Sequence, residues 1–196
     1  MPHKFKAENW ERLLSDQRRA ILDPDAFVSG IGIASGESVA DLGAGPGFFT
    51  APLAQRVGPS GCVYALDIAP EMVAVLRDQG LPSHVQVLQS GESKLPLTNS
   101  SVDTALLAFV LHELESPEEF LSETHRVLRG GGRLVVLDWV PRIEEMGPPL
   151  RERIAPPAAE QLIARAGFDI TESAFVNTSH YHIVARRTTR GGESTI

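Results

Sequence analysis

A chain of 196 residues, 42% hydrophobic and 22% charged, fits one folded domain and excludes wholesale disorder and fibrous repeats. Its longest uncharged apolar stretch, residues 104–111, is far shorter than the roughly 20 residues that span a bilayer, and the N-terminus carries no recognisable secretion signal. The net charge of −7 and the single cysteine, Cys62, disfavour a nucleic-acid partner and exclude an internal disulfide or a thiolate metal site, so we expect a cytoplasmic protein.

Strand-like and helix-like runs alternate along most of the chain, which is typical of an α/β sheet with helical crossovers. A capping box, Ser116 followed by Glu119, predicts the start of a helix that continues to Arg129. The other predicted helices are 48–57, one that begins at Pro70, and 156–166. The predicted strands are 38–42, 62–66, 85–88, 102–111, 134–137, 168–176 and 181–186, of which the last two form a hairpin.

Two loosely defined pieces and a tail lie outside this alternation. Residues 1–36 are expected to form a helical extension or lid, with helix around Trp10–Leu22, and residues 37–187 the main domain. The lid hypothesis includes the segment 147–149, which is rich in glycine and proline. We expect the tail, residues 188–196, to be disordered.

A cluster of glycines, residues 43–47, separates the first predicted strand from the first predicted helix. Glycine accepts positive φ and carries no side chain, so such a loop lets backbone N–H groups approach a nucleotide-like ligand closely. A P-loop needs a lysine and a hydroxyl residue after its last glycine, where this chain has Phe48 and Phe49. The dinucleotide fingerprint needs glycine or alanine at its sixth position, which is Phe48 here. No basic residue lies in the loop, which favours an uncharged or cationic ligand segment.

The run Val39-Ala40-Asp41-Leu42-Gly43-Ala44-Gly45-Pro46-Gly47 resembles the first motif of the class I S-adenosylmethionine-dependent methyltransferases. The resemblance continues from Glu37 to Trp139 and is greatest to the small-molecule methyltransferases of the ubiquinone/menaquinone-biosynthesis type. Two departures concern Glu92, where an aspartate is usual, and residues 111–114, which replace a frequent histidine pair. The further motifs that carry the resemblance are Asp67, Gly91-Glu92-Ser93 with Leu95-Pro96, Val102-Asp103 and Arg126-Val127-Leu128-Arg129-Gly130-Gly131-Gly132.

The resemblance implies a single-domain, Rossmann-like doubly wound α/β fold, with a mostly parallel sheet of about seven strands and an antiparallel C-terminal hairpin strand. The implied cofactor is S-adenosyl-L-methionine, with S-adenosyl-L-homocysteine as product. Asp67, a carboxylate at a strand end about 20 residues after the loop, is expected to accept the ribose hydroxyls. Asp41 is expected to orient the loop or reach the methionine ammonium, and Glu92 to accept from the adenine amino group. The other expected cofactor-binding residues are Gly43, Gly45, Gly47, Ile68, Ser93 and Phe109.

We therefore expect transfer of the cofactor methyl group to a small-molecule acceptor by in-line displacement, with His112 as the candidate general base. His112 does not begin a zinc motif, because the position four residues later is Ser116, and no metal is expected. Two alternatives stay open at this point: a non-catalytic S-adenosylmethionine-binding regulatory protein, and an NAD-dependent oxidoreductase, against which Phe48 speaks. A homodimer is compatible with the sequence.

Overall fold

The computed structural model describes residues 7–188, which form one mixed sheet covered by helices. The strands are β1 (Ser38–Leu42), β2 (Cys62–Asp67), β3 (Val85–Gln89), β4 (Val102–Ala108), β5 (Leu128–Trp139), β6 (Phe168–Phe175) and β7 (His180–Arg187). They lie in the order β3-β2-β1-β4-β5-β7-β6. The first five are parallel to one another, whereas β7 runs antiparallel to both of its neighbours. The predicted Rossmann-like α/β sheet with its antiparallel C-terminal strand is confirmed.

Six α-helices and three 3₁₀ segments accompany these strands within residues 7–188. The α-helices are α1 (Asp16–Ile21), α2 (Pro24–Gly30), α3 (Thr50–Val57), α4 (Pro70–Arg77), α5 (Pro117–Val127) and α6 (Pro156–Arg165). The 3₁₀ segments are Ala7–Leu14, Leu111–Glu113 and Leu150–Glu152. Four of the α-helices begin with proline, whose fixed φ suits the first turn and whose missing N–H would have had no helical partner there.

Helices cover both faces of the sheet. Successive residues of its central strands point to opposite faces, so each strand contributes side chains to the packing on both sides. On β4, Ala105 and Leu107 pack with residues of α5 and α6, whereas Leu106 packs with residues of α2 and α3. Each of these three side chains is fully buried. A central strand that is apolar on both faces is therefore explained by two separate cores, one on each side of the sheet.

The structure corrects the predicted end of β4. The strand ends at Ala108 rather than at residue 111, because Phe109 adopts a φ of 61° and residues 111–113 form a 3₁₀ turn. The Phe109 N–H still donates to the Leu137 carbonyl at 2.7 Å, so the chain leaves the sheet only after this last bond. The apolar run continues past the strand because Leu111 is buried in the turn.

The predicted boundary between α5 and β5 is also wrong. The helix ends at Val127, and β5 extends through the glycines to Leu128, where it pairs with Val102. An ion pair between Arg129 and Asp103 joins the same two strands. The predicted capping box is absent, since Ser116 makes no side-chain cap hydrogen bond and Glu119 instead accepts from the Ser93 hydroxyl at 2.8 Å.

The N-terminal extension contains three short helical segments within residues 7–36, and its first six positions lie outside the described residues. A 3₁₀ segment ends at Leu14, and Ser15 caps α1 by accepting a hydrogen bond from the Arg18 N–H. Asp23 caps α2 in the same way, because its side chain accepts hydrogen bonds from the N–H groups of Asp25 and Ala26. Among residues 7–188, no helix has the length and apolar character needed to cross a membrane. The predicted disordered tail lies outside the described residues, apart from its first position.

Candidate active site

A cavity of about 610 Å³ opens at the edge of the sheet where the parallel strands end. It is lined by the loops that follow β1, β2, β3 and β4, by the last residue of β5 and by the first residue of β7. The strand order reverses between β1 and β4, because the chain passes from β1 to β2 on one side and reaches β4 on the other. Open α/β sheets bind their ligands at this kind of switch point.

The glycine loop is fastened to the end of β2 by Asp67. The Gly45 N–H donates to Asp67 Oδ2 at 2.8 Å, and the Ala69 N–H donates to Asp67 Oδ1 at 2.9 Å. Gly43 and Gly45 both have positive φ, and a Cβ at Gly43 would overlap Val110 Cγ2. Burial raises the pKa of Asp67, while its backbone hydrogen bonds act in the opposite direction. The loop therefore requires glycine both for its backbone conformation and for its packing.

Asp41 lies beneath this loop with almost no exposure to solvent. Its side chain is 2% exposed, and Asp41 Oδ2 accepts a hydrogen bond from the Thr50 hydroxyl at 2.7 Å. Burial raises the pKa of Asp41 to about 7, the Thr50 hydrogen bond opposes the rise, and the charge of Asp67 adds to it. Close to neutral pH this carboxyl group is thus poised between its two protonation states.

The segment after β3 reaches the cavity through one of its two predicted residues. Glu92 lines the cavity and also accepts from the Glu115 N–H at 2.6 Å, which ties this segment to the chain that follows β4. Ser93 lies outside the cavity lining and donates to Glu119. Ile68 lines the cavity and is 43% exposed, so it offers an apolar surface beside the carboxylate of Asp67.

His112 and Asp138 form a buried pair on the cavity wall. His112 Nδ1 lies 2.7 Å from Asp138 Oδ1, and the His112 N–H donates to Asp138 Oδ2 at 3.3 Å. His112 Nε2 lies 3.9 Å from Glu113 Oε1. Burial lowers the pKa of His112, but the charge and hydrogen bond of Asp138, with Glu113 in support, raise it by more, and the net change is upward. The imidazole therefore has one nitrogen fixed by a carboxylate and is well suited to hold a proton.

Aromatic rings form the far end of the cavity around Phe109. The Phe109 ring centroid lies 5.4 Å from that of Trp139 and 5.0 Å from that of His180. The Arg18 guanidinium lies over the same ring at 4.9 Å and over Phe48 at 4.5 Å. Arg18 and His180 were not predicted from the sequence, because nothing near either residue along the chain marks it as part of a site.

The structure thus brings together eight of the ten predicted site residues. Gly47 and Ser93 are not part of the cavity lining, and Gly47 instead faces Leu76 of α4. The residues that line the cavity are Asp41, Gly43, Gly45, Asp67, Ile68, Glu92, Phe109 and His112.

Part of the predicted lid also lies on the cavity. Leu13 of the N-terminal segment and residues 147–149 line it, whereas Trp10 and Leu14 do not. Arg153 holds the second of these segments, since its guanidinium donates to the carbonyls of Pro148 and Met146 and to Glu144. Gly147 packs against the Trp139 ring, where a Cβ would approach to within 2.8 Å.

The seven-stranded sheet with its antiparallel β7, and the glycine loop and strand-end carboxylate at its switch point, form the Rossmann-like fold of the class I methyltransferases. The family described as "Methyltransferase domain" matches residues 40–136. A crystal structure of an S-adenosylmethionine-dependent methyltransferase from Aquifex aeolicus superposes with a TM-score of 0.90 and 31% identity, over 94% of this chain and 100% of that one. The chain belongs to the S-adenosylmethionine-dependent methyltransferases, and S-adenosylmethionine is the cofactor that this membership implies.

Relatives from quinone biosynthesis share part of their length with this chain. The ubiquinone/menaquinone biosynthesis C-methyltransferase of Hahella chejuensis is 37% identical over 112 residues, which are 55% of this chain and 45% of that protein. The enzyme of the same name from Ectopseudomonas mendocina is 33% identical over 147 residues, 73% of this chain and 56% of that protein. The chain spans about half the length of these curated relatives.

Proposed function

We propose that this protein transfers the methyl group of S-adenosylmethionine to a small-molecule acceptor. The observation that carries the proposal is the hydrogen bond between Asp67 and the glycine loop, at the switch point of the sheet and within a cavity of the size that small ligands occupy. This arrangement agrees with the family to which the chain belongs. The acceptor and the roles of individual residues are part of the proposal.

The residues around the cavity fit the cofactor. A carboxylate offers about four lone-pair positions, and the two backbone bonds to Asp67 leave capacity for the two ribose hydroxyls. The exposed Ile68 side chain beside it suits the face of an adenine ring. Glu92, which lines the same end, is proposed to accept from the adenine amino group.

The charge of the lining also favours this cofactor. Five carboxyl groups and two guanidinium groups line the cavity. A surplus of negative charge in a partly buried site attracts a cationic sulfonium more strongly than its neutral thioether product. We propose that Asp41, beneath the loop, contributes to this preference.

When bound, S-adenosylmethionine would supply an electrophilic methyl group: a nucleophile that attacks the methyl carbon in line takes the methyl group, the C–S bond breaks, and the neutral thioether S-adenosylhomocysteine leaves. The protein's part is to orient the two reactants and exclude water, which needs no covalent protein nucleophile. We propose that His112 Nε2 removes a proton from the acceptor, since Nδ1 is engaged by Asp138. The carboxylates of Asp138 and Glu113 stabilise the imidazolium that results.

Calorimetric titration with S-adenosylhomocysteine tests the cofactor site. Asp67→Asn should weaken binding at least tenfold, because charge-assisted hydrogen bonds are worth about 1.5–3 kcal/mol each. Asp169→Asn is the matched control, since this aspartate is exposed on the outer strand β6. Equal affinities for the wild-type protein and Asp67→Asn, or no binding to the folded wild-type protein, would contradict the proposal.

A methylation screen with isotope-labelled S-adenosylmethionine and fractionated metabolite extracts tests turnover. The oxidoreductase and the non-catalytic alternative are not favoured by the comparisons with known proteins. Binding of S-adenosylhomocysteine without label transfer to any fraction would favour the non-catalytic alternative, and binding of NAD in its place would favour the oxidoreductase. A cytoplasmic location and a homodimer stay predictions.

A further inference from the structure

His180 carries two buried ring nitrogens that have no hydrogen-bond partner. The residue is 2% exposed and lies at the first position of β7, where it lines the cavity. Both Nδ1 and Nε2 are buried without a partner. Buried polar atoms in folded proteins are nearly always paired, so two unpaired nitrogens on a side chain that lines a cavity point to a ligand as the missing partner.

Arg18 is a half-buried cationic group at the same end of the cavity. Its guanidinium stacks on Phe48 and Phe109 and donates to the Leu13 carbonyl at 3.2 Å. Within the part of the chain that the structure describes, no carboxylate lies within 4 Å of it. Burial lowers the pKa of Arg18 to about 10, and Glu113 opposes the change. A guanidinium that is partly removed from water and has no carboxylate within ion-pair distance loses solvation, and an anionic ligand would compensate for that loss.

His180 is far from the region proposed for the nucleoside of the cofactor. In the sheet, β2 with Asp67 and β7 with His180 are separated by four strand positions, which is about 19 Å at the usual spacing of about 4.8 Å. The ring of His180 packs against those of Trp139 and Phe109, at centroid distances of 4.4 and 5.0 Å. Aromatic rings therefore form the wall at this end of the cavity. Burial, supported by the positive charge of Arg18, lowers the pKa of His180 to about 4, so the imidazole is neutral.

We propose that Arg18 and His180 form the acceptor subsite and that the acceptor is a small aromatic carboxylate. The planar guanidinium matches a carboxylate, a neutral imidazole can donate to it or accept from a ring substituent, and the surrounding rings suit an aromatic body. This inference rests on the proposed function, because it places the second substrate in the same cavity as the cofactor. It adds to that function a substrate class and two specificity-determining residues.

Binding of 4-hydroxybenzoate and related hydroxybenzoates, each compared with its neutral amide, tests the subsite. Calorimetry is carried out on the full chain saturated with S-adenosylhomocysteine. The carboxylates should bind at least tenfold more tightly than the amides, and Arg18→Gln should abolish that difference. Arg165→Gln, at an exposed position of α6, should keep it. If no carboxylate binds more tightly than its amide, the proposal is wrong.

Variants of β7 test the role of His180. His180→Phe keeps an aromatic ring, removes both nitrogens, and should weaken hydroxybenzoate binding at least tenfold with unchanged affinity for S-adenosylhomocysteine. His182→Phe is the matched control, since it lies on the same strand, bonds to Glu172 and does not line the cavity. In the wild-type protein, the His180 ring ¹⁵N shifts should move on hydroxybenzoate binding, which a purely structural histidine would not show.

The cofactor also carries a carboxylate, so the two sources must be distinguished. Weaker binding of S-adenosylhomocysteine to Arg18→Gln, with hydroxybenzoate binding unchanged, would assign Arg18 to the cofactor and overturn the acceptor subsite. It would leave the proposed methyltransferase function intact. Equal affinities of the wild-type protein and Asp67→Asn for S-adenosylhomocysteine, with Arg18→Gln and His180→Phe behaving as expected here, would instead overturn the proposed cofactor site, so the two proposals fail separately.

Discussion

Asparagine at position 41 should change how stability depends on pH. The pKa of Asp41 is about 7 in the folded protein against an ordinary value of 3.8. Between these values the folded state holds a proton that the unfolded chain has released, so the free energy of unfolding falls as pH rises from about 4 to about 7 and then levels off. Integrated over this range, the loss approaches about 4 kcal/mol. Asp41→Asn should remove it, because an amide does not ionise and its oxygen can still accept from the Thr50 hydroxyl.

Urea unfolding at intervals from pH 4.5 to pH 8 measures this effect. The difference between Asp41→Asn and the wild-type protein isolates Asp41 from the other groups that titrate in this range. It should grow in favour of the variant with rising pH and become constant above pH 7, whereas Asp169→Asn should follow the wild-type curve. Parallel curves for Asp41→Asn and the wild-type protein would refute the reasoning, since they would mean that Asp41 is ionised throughout.

The same carboxyl group should release a proton when a cation binds near it. The positive sulfonium of S-adenosylmethionine favours the ionised form of Asp41, whereas the neutral thioether of S-adenosylhomocysteine does not. Calorimetry at pH 6.5 in buffers of different ionisation enthalpy should show more proton release with the first ligand than with the second. Asp41→Asn should remove that difference. A difference that persists in the variant would assign the proton to another group.

Three further predictions concern the loop, the buried pair and the aromatic end. Gly43→Ala should lower the free energy of unfolding by about 2 kcal/mol or more, because the left-handed φ strains alanine and its Cβ would overlap Val110. In urea unfolding, the double variant with Val110→Ala should lose less stability than the sum of the two single losses. Additive losses would argue against the overlap. Asp138→Asn should lower the pKa of His112, which NMR titration measures, and should move the rising limb of the pH–rate profile of methyl transfer to lower pH. An unaltered titration would show that Asp138 does not raise the pKa of His112. His180→Phe should raise the free energy of unfolding by about 1–3 kcal/mol while it weakens acceptor binding, because it removes two unpaired buried nitrogens; a loss of stability would indicate that those nitrogens are paired.

Most of the fold could be predicted because its signals are local. The glycine loop lies between an apolar strand and a helix, and an acid marks the edge of the sheet at the penultimate residue of β1, Asp41, and at the last residue of β2, Asp67. The end of β4 was predicted wrongly because an apolar run does not reveal the positive φ of Phe109. The start of β5 was predicted wrongly because glycines usually end helices, whereas here residues 129–132 lie in an irregularity of the strand, between the Val102–Leu128 and Thr104–Arg133 pairs.

The residues of the proposed cofactor half could be placed near the cavity from local signals in the sequence, but their hydrogen bonds could not be predicted. Asp67 was recognised from its place at a strand end, but its bond to Gly45 depends on the parallel register of β1 and β2. Ser93 was predicted in the site as part of the motif Gly91-Glu92-Ser93, yet the two polar side chains diverge: Ser93 donates to Glu119, and Glu92 accepts from the Glu115 N–H. Sequence proximity on a loop does not fix the direction of a side chain.

The proposed acceptor half depends on chain direction. Because β7 is antiparallel, its first residue lies at the edge where the parallel strands end, and His180 pairs with Trp139, the last residue of β5. Arg18 reaches the same place from the other end of the chain. Both residues lie outside the segment 40–136 that matches the family, whereas the glycine loop and Asp67 lie inside it. Relatives that share the cofactor half can therefore differ in the N-terminal segment and in β7, and we expect the choice of acceptor to be determined by those two elements.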